Sequence, residues 1–254
     1  KALVVEWTIV DGPASAEAVA LRIEQAGRVA FDTEATSLDA MTADLVGFSL
    51  AITPGKACYV PLAHTGGSGD LFGSGGLLPD QIAVKDAVAA IKPLLEDHAI
   101  LKIGQNLKYD ALLLLRYGVR VAPIDDTMLL SYALDGGRAN HGMDTLAERH
   151  LGHVCMSFND VIAHAPGAKK SEKTFADVPI DKATEYAAED ADVTLRLWLA
   201  LKPRLAAERM TTVYETLERP LLPIIVDMER AGIKVDRAIL SRLAAGEASV
   251  NEIA

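Results

Sequence analysis

The sequence is poor in cysteine, in aromatic residues, in long apolar runs and in positive charge. Two cysteines, Cys58 and Cys155, in 254 residues are too few for a disulfide scaffold and fit a reducing cytoplasm. Aromatic residues make up only 5%, so the core must be mostly aliphatic. No run of about 18 apolar residues occurs, which leaves no candidate for a membrane-spanning helix. The 25 Lys and Arg against 35 Asp and Glu give a net charge of −10. That deficit argues against tight nucleic-acid binding through phosphate neutralisation alone. It leaves open a site that gathers carboxylates around divalent cations, because loading such a site cancels its charge. The start, Lys1-Ala2-Leu3, lacks an initiator Met and a signal-peptide pattern, as expected of a segment inside a longer chain.

What is present is an α/β pattern. Ser15 is the expected N-cap of a helix over Ala16–Ala26, with Gly27 closing it. Arg28–Glu34, Leu45–Thr53 and Ala57–Leu62 read as three strands in an antiparallel meander, with Pro54-Gly55-Lys56 as a turn. Residues 66–76, with six glycines and two serines, read as a surface loop. They are not a phosphate cradle, since no strand ends directly before them. A helix near Pro79–Glu96, a strand over Ile100–Ile103 and a helix from about Asn106 to Tyr117 follow, and from Asp126 onward the pattern is helical. Strands in a meander, then β-α-β-like units, then helices predict a mixed sheet with flanking helices. Beyond about residue 206 the pattern changes to a helix carrying Pro220 and Pro223. That predicts one domain over 1–206 and a poorly anchored helical start of another over 207–254.

Three stretches carry chemistry. In Asp32-Thr33-Glu34 the two acids are i and i+2 on a strand and share a face; the plain alternative is a solvated strand edge. In Gln105-Asn106-Leu107-Lys108-Tyr109-Asp110, Asn106 and Asp110 would be one helical turn apart; the alternative is an Asn cap followed by a dipole-favoured acid. In Tyr186-Ala187-Ala188-Glu189-Asp190, Tyr186 and Asp190 are again i and i+4, with small residues between them. Asp32, Glu34, Asp110 and Asp190 together offer hard oxygen ligands that suit Mg²⁺ or Mn²⁺ and not zinc. Two such ions about 4 Å apart can activate a water and stabilise the leaving oxygen of a phosphodiester. Tyr186, with an ordinary pKa of about 10, would orient that water.

In this order the three stretches resemble the exonuclease motifs of the DEDDy branch of the RNase H-like exonucleases. Asp126-Thr127-Met128-Leu129, His141-Gly142-Met143-Asp144-Thr145-Leu146-Ala147-Glu148 and Glu229-Arg230-Ala231-Gly232-Ile233-Lys234-Val235-Asp236 are similar to segments of family A DNA polymerases. The resemblance implies a proofreading 3′–5′ exonuclease in the same chain as a polymerase domain, acting on single-stranded DNA 3′ ends. It would be monomeric, with no membrane association, in the bacterial cytoplasm at the nucleoid. It implies that Asp32, Glu34, Asp110 and Asp190 hold two divalent ions and that Tyr186 holds the attacking water. Thr33, Leu38, Gln105, Asn106, Tyr109 and Phe158 would contact the terminal nucleotides. Where the family pattern has an Arg just before the His-x-Met-Asp segment, this chain has Asn140, and Arg138 is the substitute candidate for the DNA backbone.

His141, His150, His153 and Cys155 match no zinc-finger spacing and read as surface or cap residues. Asp125-Asp126 reads as the N-cap of a helix from Thr127, the alternative being an extension of the metal site. Lys169, Lys170 and Lys173 are candidates for a phosphate contact or for a solvated basic loop. The rival readings are an RNase D-like exoribonuclease with the same carboxylates and a non-catalytic DNA-positioning module. The Glu229–Asp236 stretch speaks against the first, and the intact acids against the second.

Overall fold

A computed structural model describes residues 5–10, 12–65, 76–137, 140–165 and 173–246. Its strands are β1 (Glu6–Ile9), β2 (Arg28–Ala35), β3 (Leu45–Thr53), β4 (Lys56–Pro61), β5 (Leu101–Gly104) and β6 (Ile124–Asp126). They form one six-stranded mixed sheet in the order β1-β4-β3-β2-β5-β6. The expected meander is β2-β3-β4, antiparallel throughout. Gly55, at φ 80°, turns β3 into β4 in a conformation that favours glycine. β5 and β6 extend the sheet in parallel beyond β2, and β1 adds in parallel to β4 at the other edge. Neither edge strand was expected. Three of the four β1 residues are exposed, and β6 is the three-residue Ile-Asp-Asp, so neither shows an apolar alternation.

The helices are α1 (Pro13–Ala26), α2 (Val84–Glu96), α3 (Lys108–Arg116), α4 (Thr127–Asp135), α5 (Met143–Leu151), α6 (Phe158–Ala163), α7 (Ile180–Ala207), α8 (Thr211–Val213), α9 (Arg219–Ala231) and α10 (Arg237–Ala244). Side-chain alternation along β2 sorts them into two layers. Val29 and Phe31 enter an aliphatic cluster with Ile23, Val88, Ile91, Leu112 and Leu113 from α1, α2 and α3. Ala30 faces the other way, against Ala188, Ala191 and Leu195 of α7. Fully buried alanines let α7 lie close on the sheet, which is how an aromatic-poor chain closes this layer.

Several boundaries differ from expectation. α1 starts at Pro13, which needs no donor at a first helical position. Ser15 is therefore inside the helix and not its cap, its hydroxyl donating to the Gly12 carbonyl at 2.8 Å. Gly27 does close α1, at φ 63°. α2 begins at Val84, well after Pro79, and residues 66–75 of the glycine-rich loop lie outside the described residues. α3 begins at Lys108, so Asn106 precedes the helix and sits in a turn at φ 56°; Asn tolerates that left-handed conformation better than most residues. The shared helical face expected for Asn106 and Asp110 does not exist.

The segment after α7 is also better anchored than expected. α8 leads into a widened turn of helix, Tyr214–Glu218, that relaxes the backbone ahead of Pro220 and Pro223, which cannot donate. Tyr214, Leu222 and Val226 are buried in the two clusters that α4 and α3 also enter. Only from α10, which has no buried residue, does the chain leave the core.

Candidate active site

β2 ends in the core, and its last turn of sheet opens a cleft. Asp32, Glu34, Asp110, Tyr186 and Asp190 line it, together with Leu38, Gln105, Asn106, Tyr109, Phe158, Lys173 and Phe175. One carboxylate oxygen from each of Asp32, Glu34 and Asp190 lies within 4.8 Å of the others. Asp32 and Glu34 share the α7 face of β2, as i and i+2 on a strand must, and Asp190 comes from α7. Asp110 arrives from the opposite layer. Its Oδ1 accepts from the Thr33 N–H at 2.9 Å and from the Thr33 hydroxyl. Thr33 therefore spends its hydroxyl on Asp110.

The electrostatics follow from burial and crowding. Burial first, then Asp110, Glu34 and Asp190, raises the Asp32 pKa well above the usual carboxylate range. Burial and the charges of Asp190 and Asp110 do the same to Glu34. Burial and then Glu189 raise Asp190, against a hydrogen bond from Tyr186 that lowers it. Asp110 is raised to about 7 by burial, with the Thr33 bonds opposing. The Tyr186 hydroxyl is pushed far upward by burial and by Asp190, Glu34 and Asp32, so it stays protonated and acts as a donor. Glu34 Oε1 is buried with no hydrogen-bond partner. A buried, unpartnered carboxylate oxygen beside two more carboxylates costs stability unless a cation completes it. The donor set, all hard oxygen, fits Mg²⁺ or Mn²⁺.

The other expected contacts fall into place unevenly. Leu38 is 97% exposed at the rim and Phe158 is half exposed. The Tyr109 hydroxyl donates to the Ser37 carbonyl, and burial, then Asp110, raises it to about 12. The Gln105 side chain is engaged with the His141 carbonyl at 2.9 Å and with the Thr127 hydroxyl, leaving it less free for a nucleotide. Arg138, Lys169 and Lys170 lie outside the described residues. Phe175 was missed by sequence reasoning. It completes a cluster of three rings, with centroids 6.4 Å from Phe158 and 5.9 Å from Tyr186, which themselves lie 6.1 Å apart, and a lone Phe at the start of a short 3-10 turn carries no periodic signal.

Neighbouring acids have different jobs. Glu189 accepts from His153 Nε2 at 2.8 Å and from the Met156 N–H at 2.6 Å, fastening the loop after α5 to α7. Cys155 lies beside that pair; its thiol, pushed up to about 12 by burial and then Glu189, stays protonated. Asp192 accepts from the Gly55 N–H at 2.6 Å and so ties the β3-β4 turn to α7. Of the three acids in Glu189-Asp190-Ala191-Asp192, Asp190 alone lines the cleft.

A mixed sheet of this order, with carboxylates gathered where β2 meets the long helix, defines an RNase H-like exonuclease. The model of the 3′–5′ exonuclease family DNA_pol_A_exo1 matches residues 7–206, and the chain belongs to that family. It is 59% identical over 226 residues to a DNA polymerase I of Rhizobium leguminosarum, covering 85% of this chain and 22% of that protein. It is 41% identical over 240 residues to DNA polymerase I of Pseudomonas aeruginosa, covering 93% of this chain and 25% of that protein. The chain thus spans about a quarter of the length of the curated relatives it matches. The solved structure of Escherichia coli RNase D, an exoribonuclease, superposes with a TM-score of 0.65 at 15% identity, over 88% of this chain and 51% of that one, which shows the shared fold. No helix among the described residues is long and apolar enough to cross a membrane.

Proposed function

We propose that the chain removes nucleotides from single-stranded DNA 3′ ends by metal-dependent hydrolysis, as the proofreading part of a family A DNA polymerase. The observation that carries this reading is the Asp32–Glu34–Asp190 cluster, with its unpartnered Glu34 oxygen. Asp32, Glu34 and Asp190, with Asp110 beside them, would hold two divalent ions. Those ions would supply charge neutralisation and a water acidic enough to attack a phosphodiester near neutral pH. Tyr186, held protonated by burial and the nearby acids, orients the attacking water. Thr33 fixes Asp110 so that the fourth carboxylate keeps its place. Leu38, Tyr109, Phe158 and Phe175 offer apolar and aromatic surface for the terminal bases, with the Asn106 amide as a polar contact beside them, and base–aromatic stacking is tolerant of sequence. Lys173 at the same wall offers a cation for phosphate.

The net charge of −10 fits a chain that receives its DNA from a partner domain better than one that captures it alone. We assign residues 1–206 to the exonuclease domain and 207–254 to the helical start of the next, of which the part through α9 stays folded onto the exonuclease core and only the chain from α10 leaves it. A 5′-labelled single-stranded DNA should give a ladder descending from the 3′ end in Mn²⁺, with mononucleotide products. The same ladder in excess EDTA would overturn metal dependence. An RNA oligonucleotide degraded faster than DNA would favour the RNase D-like reading.

A further inference from the structure

Asp126 does more than cap α4. Its Oδ1 accepts from the N–H groups of Met128 at 2.8 Å and Leu129 at 3.2 Å, which is N-cap geometry. The carboxylate also reaches back to an earlier part of the chain. Oδ2 accepts from the Leu107 N–H at 2.8 Å, and Oδ1 accepts from the Asn106 N–H at 3.3 Å. Capping α4 requires neither bond. Both hold the turn between β5 and α3, where Asn106 sits at φ 56° and beyond which α3 carries Tyr109 and Asp110. The turn is tight: a Cβ on Gly104 would fall 2.4 Å from Leu107 Cδ1.

Asp126 is itself held from behind. Its N–H donates to the Tyr214 hydroxyl at 3.0 Å, and that hydroxyl donates to Asp125 Oδ1 at 3.0 Å. Asp125 is fully buried and also accepts from Trp198 Nε1 at 2.7 Å, Lys202 Nζ at 3.0 Å and Arg219 at 3.3 Å. Trp198 and Lys202 belong to α7, the helix of Tyr186 and Asp190. Tyr214 and Arg219 belong to the segment that follows it. A buried polar network with its members satisfied specifies one arrangement, because every alternative leaves a buried group unpaired.

We infer that Asp126, set in place by Tyr214, is a positioning residue for the exonuclease cleft. It fixes the Gln105–Leu107 turn and with it the nucleotide-side wall and the approach of α3. The geometry of the site therefore depends on a side chain beyond residues 7–206, the part that the exonuclease family covers. This rests on the reading of the cleft given above.

Two variants of the 254-residue chain separate positioning from folding. Tyr214→Phe keeps the buried ring and deletes only the hydroxyl. Asp126→Ser keeps an oxygen that caps α4 but is too short to reach Leu107. Misplacing a binding or catalytic group by about 1 Å costs on the order of 10²-fold, so we expect KM for single-stranded DNA in Mn²⁺ to rise about tenfold or more in each. Hydrogen exchange should quicken at the Asn106 and Leu107 amides in both, while Met128 and Leu129 stay protected in Asp126→Ser and the amides of β2 and β3 stay as protected as in the parent, whatever modest fall in melting temperature the unpaired buried groups cause. Unchanged KM in both variants overturns the inference. So does a loss of activity accompanied by faster exchange across the whole sheet, which would make the two residues anchors of the fold. If the unmodified chain has no nuclease activity, the functional reading fails instead, and exchange at Asn106 and Leu107 still decides whether the clamp exists.

Discussion

Thr33 and Asp110, 77 residues apart in the chain, meet at a single oxygen: the backbone N–H and the hydroxyl of Thr33 both donate to Asp110 Oδ1. The middle residue of Asp32-Thr33-Glu34 is thus the joint between the two layers of the molecule. Its neighbours point to α7 while it points to α3. The pairing brings a carboxylate from the far layer to the end of β2 and holds it there although burial raises its pKa to about 7.

Tyr186→Phe should lower the exonuclease rate by about 10- to 1,000-fold, the usual size of a positioning and proton-handling contribution. Manganese affinity should change little, because the phenol is not one of the clustered carboxylates. Equal single-turnover rates for the two proteins would reduce Tyr186 to a packing residue beside Phe175.

The crowded acids should make the metal-free fold sensitive to pH. Asp110 is raised to about 7 when folded, against about 3.9 in an unfolded chain. Its stabilising contribution is present below pH 4, is lost as pH rises through 4 to 7, and is gone above that window. Asp32, Glu34 and Asp190, raised in the same direction, act with the same sign. Asp190→Asn should therefore melt higher than the parent in EDTA at pH 7. Adding Mn²⁺ at a hundredfold excess over Kd should stabilise the parent by about 2.7 kcal/mol and the variant much less. A lower melting temperature for Asp190→Asn in EDTA would make Asp190 a structural partner.

His64 should give the opposite pH dependence. It is fully buried, with Nδ1 against the Val178 carbonyl at 2.9 Å and Nε2 against the Tyr59 hydroxyl at 2.8 Å, a pairing that suits the neutral ring. Burial lowers its pKa to about 4, so stability from this group is present above about 6.5 and is lost as pH falls from there toward 4. The slope from one such group is at most about 1.4 kcal/mol per pH unit. His64→Gln should be less stable at pH 7 and yet show a flatter acid limb in urea titrations. An unchanged limb would mean that other groups set it.

The C-terminal region should divide at Gly232. Leu222 and Val226 of α9 are buried in the main cluster, so amides of Arg219–Ala231 should exchange as slowly as those of α3, while α10 exchanges rapidly. Leu222→Ala should cost about 2–5 kcal/mol of stability. Uniformly fast exchange from residue 207 onward would show that α9 does not belong to this folding unit.

Much of this was legible in the sequence where a period or a rigid chemical rule applied. β2, β3 and β4 alternate or run apolar, Gly27 stops a helix, and i, i+2 spacing on a strand puts Asp32 and Glu34 on one face. Asp126 as the cap of α4 was legible for the same reason. The two edge strands were not, because four exposed residues and an Ile-Asp-Asp triplet owe their strand character to a neighbour's hydrogen bonds. Asn106 was misplaced onto a helix because a positive φ is decided by the turn that closes around it. Phe175, and the second pair of bonds made by Asp126, depend on contacts between segments far apart in sequence.

The most direct test joins metal binding to hydrolysis in one variant. Calorimetric titration of Mn²⁺ into the parent chain should show saturable binding, and the same preparation should shorten a 5′-labelled single-stranded DNA from its 3′ end. In Asp190→Asn both signals should fall sharply together while the fold, by its melt in EDTA, remains intact. A variant that stays folded, has lost its manganese binding and still digests the 3′ end at the parent rate would contradict hydrolysis at the Asp32–Glu34–Asp190 cluster.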